Sequence, residues 1–482
     1  MRNIKFIGAT LFLVVILISC KKTFLEKTPP DALAENIYYK TADQAKAGVN
    51  AAYATLENQN LYTKYLTKLF IAPTGDVVLN NTDGYNLMDF TYTAAEPALF
   101  LTYSTLYEGV YRCNIVLQKV PEIDMDEGLK SRYLAEVKFL RALYYWHLTT
   151  LFGEVPLFTE PFKTPEDALI AKSSVADIYK VMIQDLEDAI PVLPLKSQYG
   201  ASDLGRATKG AAESLLGKIY LYDKQYQNAY DWFSKVIASN EYGLIDDFNH
   251  IINVNYENNI ESIFEVQFAE IGSSDVGNGQ ALNDNPQVNG GTGNTLPTQQ
   301  LVNAFGSDDP RLGYTVFMQG QPFAPQLSTP SQNLDTYQSI WSPTGYNIKK
   351  GLIPVAYVNN RGTNWPIIRY ADVLLMYAEA ANEIGKIEQA RDAVNLVRER
   401  PTVDMPDLTV ANTDTKEKMF QAIVHERRVE LALEYHRFND LRRWGMAQDT
   451  LGHLGYTARN KYYPIPQIEI DINKNLKQAS GW

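Results

Sequence analysis

Only two cysteines, Cys20 and Cys113, occur in 482 residues, which excludes a disulfide framework. Histidine is nearly as scarce, with five in all: His147, His250, His425, His436 and His453. His425-Glu426 is followed by Val429 where a helical zinc signature needs its second histidine, so no zinc site is expected. No Gly-x-Ser-x-Gly elbow, phosphate-binding loop or dinucleotide fingerprint is present. Basic residues are outnumbered 44 to 56, for a net charge of −12. A surface this acidic repels phosphate backbones, so nucleic acid is not an expected partner. After the first twenty residues no apolar run reaches the roughly 20 residues that a spanning helix needs.

What remains is ordinary globular composition, 45% hydrophobic and 21% charged, with enough length for a full core. At roughly 150 residues per domain the prior is three domains or one composite fold. Tyrosine stands out, at 31 against 19 phenylalanines and 6 tryptophans. Rings that carry a hydroxyl suit half-buried packing, and they also suit a surface that binds through flat amphipathic faces.

The N-terminus reads as an address. Arg2 and Lys5 precede an apolar stretch, Phe6 to Ile18, that is too short to span a bilayer and ends Ser19-Cys20. A cysteine directly after a small residue at such an end resembles a bacterial lipobox. The expectation is a signal peptide over 1–19 and lipidation of Cys20, with several acyl chains giving a stable anchor. Residues 20–36 are polar, contain Pro29-Pro30 and suit an extended tether.

Beyond the tether, apolar spacing predicts helices over 45–56, 103–120, 130–152 and 174–193. Residues 71–100 lose the period and read as a long loop. In 210–237, Leu216, Gly217, Tyr220, Ala229 and Phe233 fall at tetratricopeptide spacing. Ala378, Ala381, Ala390 and Val394 echo it in 369–399. Residues 271–365 are different: Gly, Asn, Pro, Ser and Thr crowd them, and the aromatics Tyr337, Trp341, Tyr346, Tyr357 and Trp365 argue against a disordered linker. The domain reading is a helical region over 37–270, a loop-rich insertion over 271–365 and a second helical region over 366–482, forming one composite unit.

The segment His425 to Trp444 carries charges at helical spacing, with Glu426, Glu430 and Glu434 four apart among Arg427, Arg428, Arg437, Arg442 and Arg443. Carboxylates beside arginines suit an ion-pair network that locks a C-terminal helix to its neighbours better than they suit an acid/base pair. Asn80 to Gly84 and Asn283 to Asn285 offer oxygens to a structural calcium ion but lack the spacing of an EF-hand loop, so turn chemistry is expected. No other cofactor is implied. Sugar rings present an apolar C–H face and a rim of hydroxyls, which a Trp or Tyr ring and nearby Asn, Asp or Arg would meet. The ligand-binding candidates are therefore Trp341 first, then Tyr85, Tyr346 and Trp365, with Tyr337, Asp76, Asn80, Asn81, Asp83 and Arg361.

Taken in order, Phe24-Leu25-Glu26 after Cys20, Leu106-Tyr107 with Asn114, residues 136–157, 205–222, 308–312, 369–382, 424–445 and 462–470 resemble the SusD/RagB family of outer-membrane nutrient-binding lipoproteins. Tyr435 stands where many members have glycine, and Tyr103 where many have tryptophan. The resemblance implies a mainly α scaffold of tetratricopeptide-like helix pairs carrying an irregular ligand-binding region. It implies a non-enzymatic protein held at the outer membrane, facing the cell surface, that captures a nutrient, most often a glycan, and passes it to a SusC-like TonB-dependent transporter. A peptide ligand on the same architecture, a surface glycosidase and a periplasmic helical-repeat scaffold are the alternatives.

Overall fold

A computed structural model describes residues 38–80, 84–269, 277–279, 284–323, 336–351, 362–479 and 481–482. Cys20 lies outside them. Helices dominate, and their starts are written in the sequence. Helix α1 (Ala42–Ala54) opens on a capping box between Thr41 and Gln44, α3 (Pro97–Lys119) on Glu96 with proline in its first turn, and α4 (Glu127–Phe152) on Asp126. Ser174 caps α5 (Val175–Ala189), and Thr208 caps α6 (Lys209–Tyr222). Each cap satisfies a backbone N–H that the helix itself leaves unpaired. Between α1 and α3 lies the short α2 (Tyr65–Ile71).

Helices α3 to α6 pack each on the next, and α1 packs on α3 and α4, around a large shared core. The tetratricopeptide reading of 210–237 is realised by α6 and α7 (Tyr226–Ala238). Leu216, Ala229 and Phe233 are fully buried between them, and a Cβ on Gly217 would sit 2.7 Å from the Phe233 ring. The missing side chain is what lets the two helices approach. Gly217→Leu is expected to lower stability by about 1–3 kcal/mol through overpacking; a melting midpoint equal to wild type would contradict this contact. The weaker echo is also a helix pair, α8 (Tyr370–Glu383) and α9 (Ile387–Arg398). Ala378, Ala381, Ala390 and Val394 are fully buried in a second apolar cluster, which α10 (Lys416–Glu430) completes.

Cys113 is fully buried in α3, and desolvation raises its thiol pKa well above normal, so it behaves as a small apolar side chain.

Two sequence expectations change. The stretch 71–100 is not simply a loop: it holds β1 (Val77–Leu79) and a helical turn, Tyr85–Met88. Strand β1 pairs with a segment more than 200 residues away, which no local periodicity announces. The charged segment around 425–444 is not one helix. It breaks after α10, where Leu433 and Tyr435 take positive φ of 67° and 68°, and resumes as α11 (Arg437–Arg443). A left-handed residue with a side chain costs about 1–2 kcal/mol, which is the physical reason a glycine suits position 435. Tyr435 offsets it by stacking on Trp365 at 5.0 Å.

Strand β2 (Ser262–Val266) pairs antiparallel with β6 (Trp365–Arg369), so the loop-rich insertion leaves and re-enters the scaffold through one ladder. Inside the insertion are β3 (Thr295–Pro297), β4 (Val316–Phe317) and β5 (Asn347–Ile348), with β1 on β3 and β4 on β5.

A buried ionic network fixes that insertion to the C-terminal helices. Five carboxylates, Glu261, Asp309, Glu426, Glu430 and Glu434, meet five cations, Arg311, Lys350, Arg369, Arg398 and Arg400. Arg311 and Lys350 come from the insertion. Arg311 bonds Asp309 at 2.7 Å, Glu430 at 3.1 Å and also Glu426; Lys350 pairs with Glu434 and donates to the Glu430 carbonyl at 2.8 Å. Behind it, Arg427 bridges Asp372 and Asp440, and Arg443 bridges Asp440 and Glu379. The three glutamates spaced four apart thus serve as the structural lock, each of them saturated by cations.

Candidate functional site: an aromatic loop face

The antiparallel pair β1–β3 positions the candidate residue Asn80. Val77 faces Pro297 and Leu79 faces Thr295, and the ladder extends by the Asn80 N–H donating to the Asn294 carbonyl at 2.7 Å. Just beyond β3, Thr298 caps a short helix, Gln299–Phe305, and its hydroxyl donates to the Gly75 carbonyl at 2.9 Å. Gly75 has φ of +74°, a turn conformation that favours glycine. Strand β5 lies close to β3, so the segment 337–348 that leads into it approaches the ladder.

Beneath that third segment is a small aromatic cluster. Phe317, Phe323 and Tyr337 are buried together, with Phe317 and Tyr337 stacked at 5.5 Å. The Tyr337 hydroxyl donates to Asn347 Oδ1 at 2.6 Å. Trp341 stands edge-on upon this base, 5.3 Å from Tyr337 and 5.5 Å from Phe323, and keeps part of its surface in solvent. Nothing among the described residues accepts from its indole N–H. Ile340 beside it is 89% exposed.

The sequence candidates separate accordingly. Tyr85 is exposed at 44%, Tyr346 is half-buried with its hydroxyl donating to Gln299 Oε1 at 2.6 Å, and Asn80 is exposed at the end of β1. With Trp341 these are the candidates that retain a surface to offer. Trp365, Tyr337 and Asp76 do not. Trp365 is in β6, 6% exposed beneath the Tyr435 ring; Tyr337 is fully buried; Asp76 is buried against Arg428. All three looked available because their neighbours in sequence are loop-like, but Trp365 and Asp76 are captured by residues distant in sequence and Tyr337 by Phe317, Phe323 and Asn347 within the insertion. Asn81, Asp83 and Arg361 lie outside the described residues. The sequence reading passed over Gln299 and Asn303, which are hydrogen-bonded to each other at 2.8 Å beside Tyr346. Their signal was available: polar amides four apart at the start of a helix, directly after the run Thr295 to Thr298.

The arrangement offers ring faces and edges, amide side chains and an unpaired indole N–H. Among the described residues it brings together no pair of free carboxylates and no nucleophile held by a base. Such groups suit binding to a ligand with apolar C–H faces and hydroxyls.

Comparison with known proteins agrees with this architecture. Residues 260–482 match the family model described as SusD family, and residues 23–221 match one described as starch-binding, associating with outer membrane. A SusD-like protein of Formosa agariphila is 27% identical over 98% of this chain and 97% of its own length. A SusD superfamily protein from Bacteroides vulgatus superposes with a TM-score of 0.80 at 27% identity, covering 92% of this chain and 100% of that one. A laminarin-binding SusD-like protein superposes with a TM-score of 0.78 at 28% identity, again over 92% of this chain and 100% of its own. The two family models follow one another along the sequence, the solved structures superpose over nine-tenths of the chain, and the chain belongs to the SusD/RagB family.

Proposed function

We propose that this protein is a non-enzymatic glycan-binding lipoprotein of the outer membrane that captures its ligand on the aromatic loop face and hands it to a SusC-like TonB-dependent transporter. The observation that carries the reading is the partly exposed Trp341, set on a buried aromatic base with no partner for its indole N–H among the described residues. A ring held edge-on by two others loses little conformational entropy on binding. The laminarin-binding relative supports a glycan as the ligand class, and the family model associated with the outer membrane supports the location. Saturation of Glu426, Glu430 and Glu434 by arginines and Lys350 supports binding without hydrolysis, since a glycosidase needs a carboxylic acid and a carboxylate free to face the sugar.

Two measurements test this reading. Cys20→Ser is expected to release the protein from the membrane fraction or leave its signal peptide unprocessed; normal acylation and anchoring of the variant would contradict the lipid-anchor reading. Titration of glycan and peptide panels into the acyl-free protein is expected to find a glycan that binds. Binding to peptides alone at the loop face would replace glycan by peptide as the nutrient.

A further inference from the structure

A cleft of about 650 Å³, whose lining includes none of the loop-face candidates, lies between α3, the loop 156–169 and the C-terminal segment that includes α12 (Gln467–Ile472). Its size is within the range of about 300–1,000 Å³ typical of ligand pockets. We infer that this cleft is a second binding site, one that takes a polypeptide segment inserting a cationic side chain, arginine or lysine, beside Glu469.

Five rings form its walls. Tyr103, Tyr107 and Tyr111 repeat every four residues along one face of α3, and Phe158 and Phe162 come from the facing loop. Tyr103 and Tyr107 lie 4.8 Å apart, Tyr107 and Phe158 meet edge to face at 5.7 Å, and Tyr111 lies 4.9 Å from Phe162. The Tyr107 ring is fixed by its hydroxyl, which donates to the Pro156 carbonyl at 2.6 Å. A box of aromatic faces attracts a cation through the ring quadrupoles.

Charge points the same way. The lining carries Glu108, Glu160 and Glu469 against a single cation, Lys163. Glu108 is already paired with Arg112. Glu469 is not paired: its carboxylate has no hydrogen-bond or ion-pair partner among the described residues. Burial against apolar walls raises its pKa, which is the signature of a charge that lacks a counter-ion.

A neutral sugar fits this cleft poorly, because the cleft's amides are committed elsewhere. Asn114 donates to the Phe158 carbonyl and accepts from Arg141 at 2.7 Å. Asn473 donates to the Ile170 carbonyl at 2.7 Å and accepts from the Asn475 N–H. Hydroxyls entering here would find few donors, whereas a guanidinium or ammonium needs only the rings and the carboxylate. At the rim, Phe162 is 41% and Ile472 is 63% exposed. These apolar contacts suit the residues flanking the cation in a chain, and so favour a polypeptide over a free amine. The loop-face candidates contribute no residue to this cleft.

The test is calorimetry on the intact acyl-free protein with two capped tripeptides, Leu-Arg-Phe and its counterpart in which citrulline replaces arginine. Citrulline keeps the shape and removes the charge. The arginine peptide is expected to bind at least about tenfold more tightly, the size of one charge-assisted contact. Glu469→Gln should abolish that preference, and Phe162→Ala should weaken the arginine peptide while leaving the fold intact. Both variants should leave glycan affinity at the loop face unchanged. Equal binding of the two peptides, no binding of either, an undiminished preference in Glu469→Gln, or displacement of the peptide by a laminari-oligosaccharide would each overturn the assignment.

Discussion

Replacing Glu430 by glutamine is expected to lower the stability of the folded chain by about 3–5 kcal/mol, the cost of breaking a buried ion pair from one side. Glu430 is fully buried and touches Arg311, Arg369 and Arg400 at 3.1, 2.8 and 2.9 Å. Glutamine fills the same space but leaves three guanidinium groups sharing four carboxylates. Burial alone would raise the Glu430 pKa; the charges of Arg400, Arg369 and Arg311 outweigh it and hold the group far below the ordinary carboxylate range. Glu434 is held down in the same way by Arg369 and Lys350 against its own desolvation. Because the folded pKa is depressed, this stabilisation is complete above the unfolded value of about 4.3 and is lost as pH falls below it, where the unfolded chain takes up a proton that the folded chain does not. The gap between wild type and Glu430→Gln should therefore be full at neutral pH and narrow below about pH 4. Urea denaturation of both proteins across that range checks it. Affinity for ligand, measured on the folded variant, should be unchanged, and a stable variant that has lost binding would move Glu430 from the lock into the site.

The helices were legible because their signals are local. Thr41, Asp126, Ser174 and Thr208 sit where caps belong, and Gly217 with Phe233 records a contact between helices adjacent in sequence. The break at Leu433 and Tyr435 was not legible, since a helical charge pattern continues across it; Tyr435 in place of the family's glycine was its one trace. Of the candidate binding residues, exposure was legible in part. Composition singled out the loop residues as a group, and Trp341, Tyr85 and Tyr346 do keep exposed surface. Composition cannot tell which loop residue a distant strand will cover. Trp365 lies on a ladder with β2 and beneath Tyr435, and Asp76 meets Arg428 from α10. Those partners are far away in sequence, and burial depends on them alone. The cleft beside Glu469 had a local signal, tyrosines at 103, 107 and 111, but helical spacing of rings is by itself equally a core pattern.

Trp341→Ala is expected to cost at least about 2 kcal/mol of glycan binding, close to thirtyfold in affinity, as for a ring anchor removed from a binding site. The indole is the largest side chain of the loop face, it is held upright by Tyr337 and Phe323, and its N–H is available to a hydroxyl. Truncation also uncovers the Tyr337 and Phe323 edges, so some loss of melting temperature accompanies it, and the comparison must be made well below the melting midpoint. Tyr85 is exposed and supports no packing of comparable size; Tyr85→Ala should weaken binding with little change in stability.

The most direct test of a glycan-capturing loop face is a calorimetric titration of one glycan panel, laminari-oligosaccharides included, into acyl-free wild type and Trp341→Ala side by side. The account predicts heat and saturation with at least one glycan for wild type, and about thirtyfold weaker binding of that glycan by the folded variant. Equal affinities in the two proteins, or no glycan bound by wild type across the panel, would contradict it.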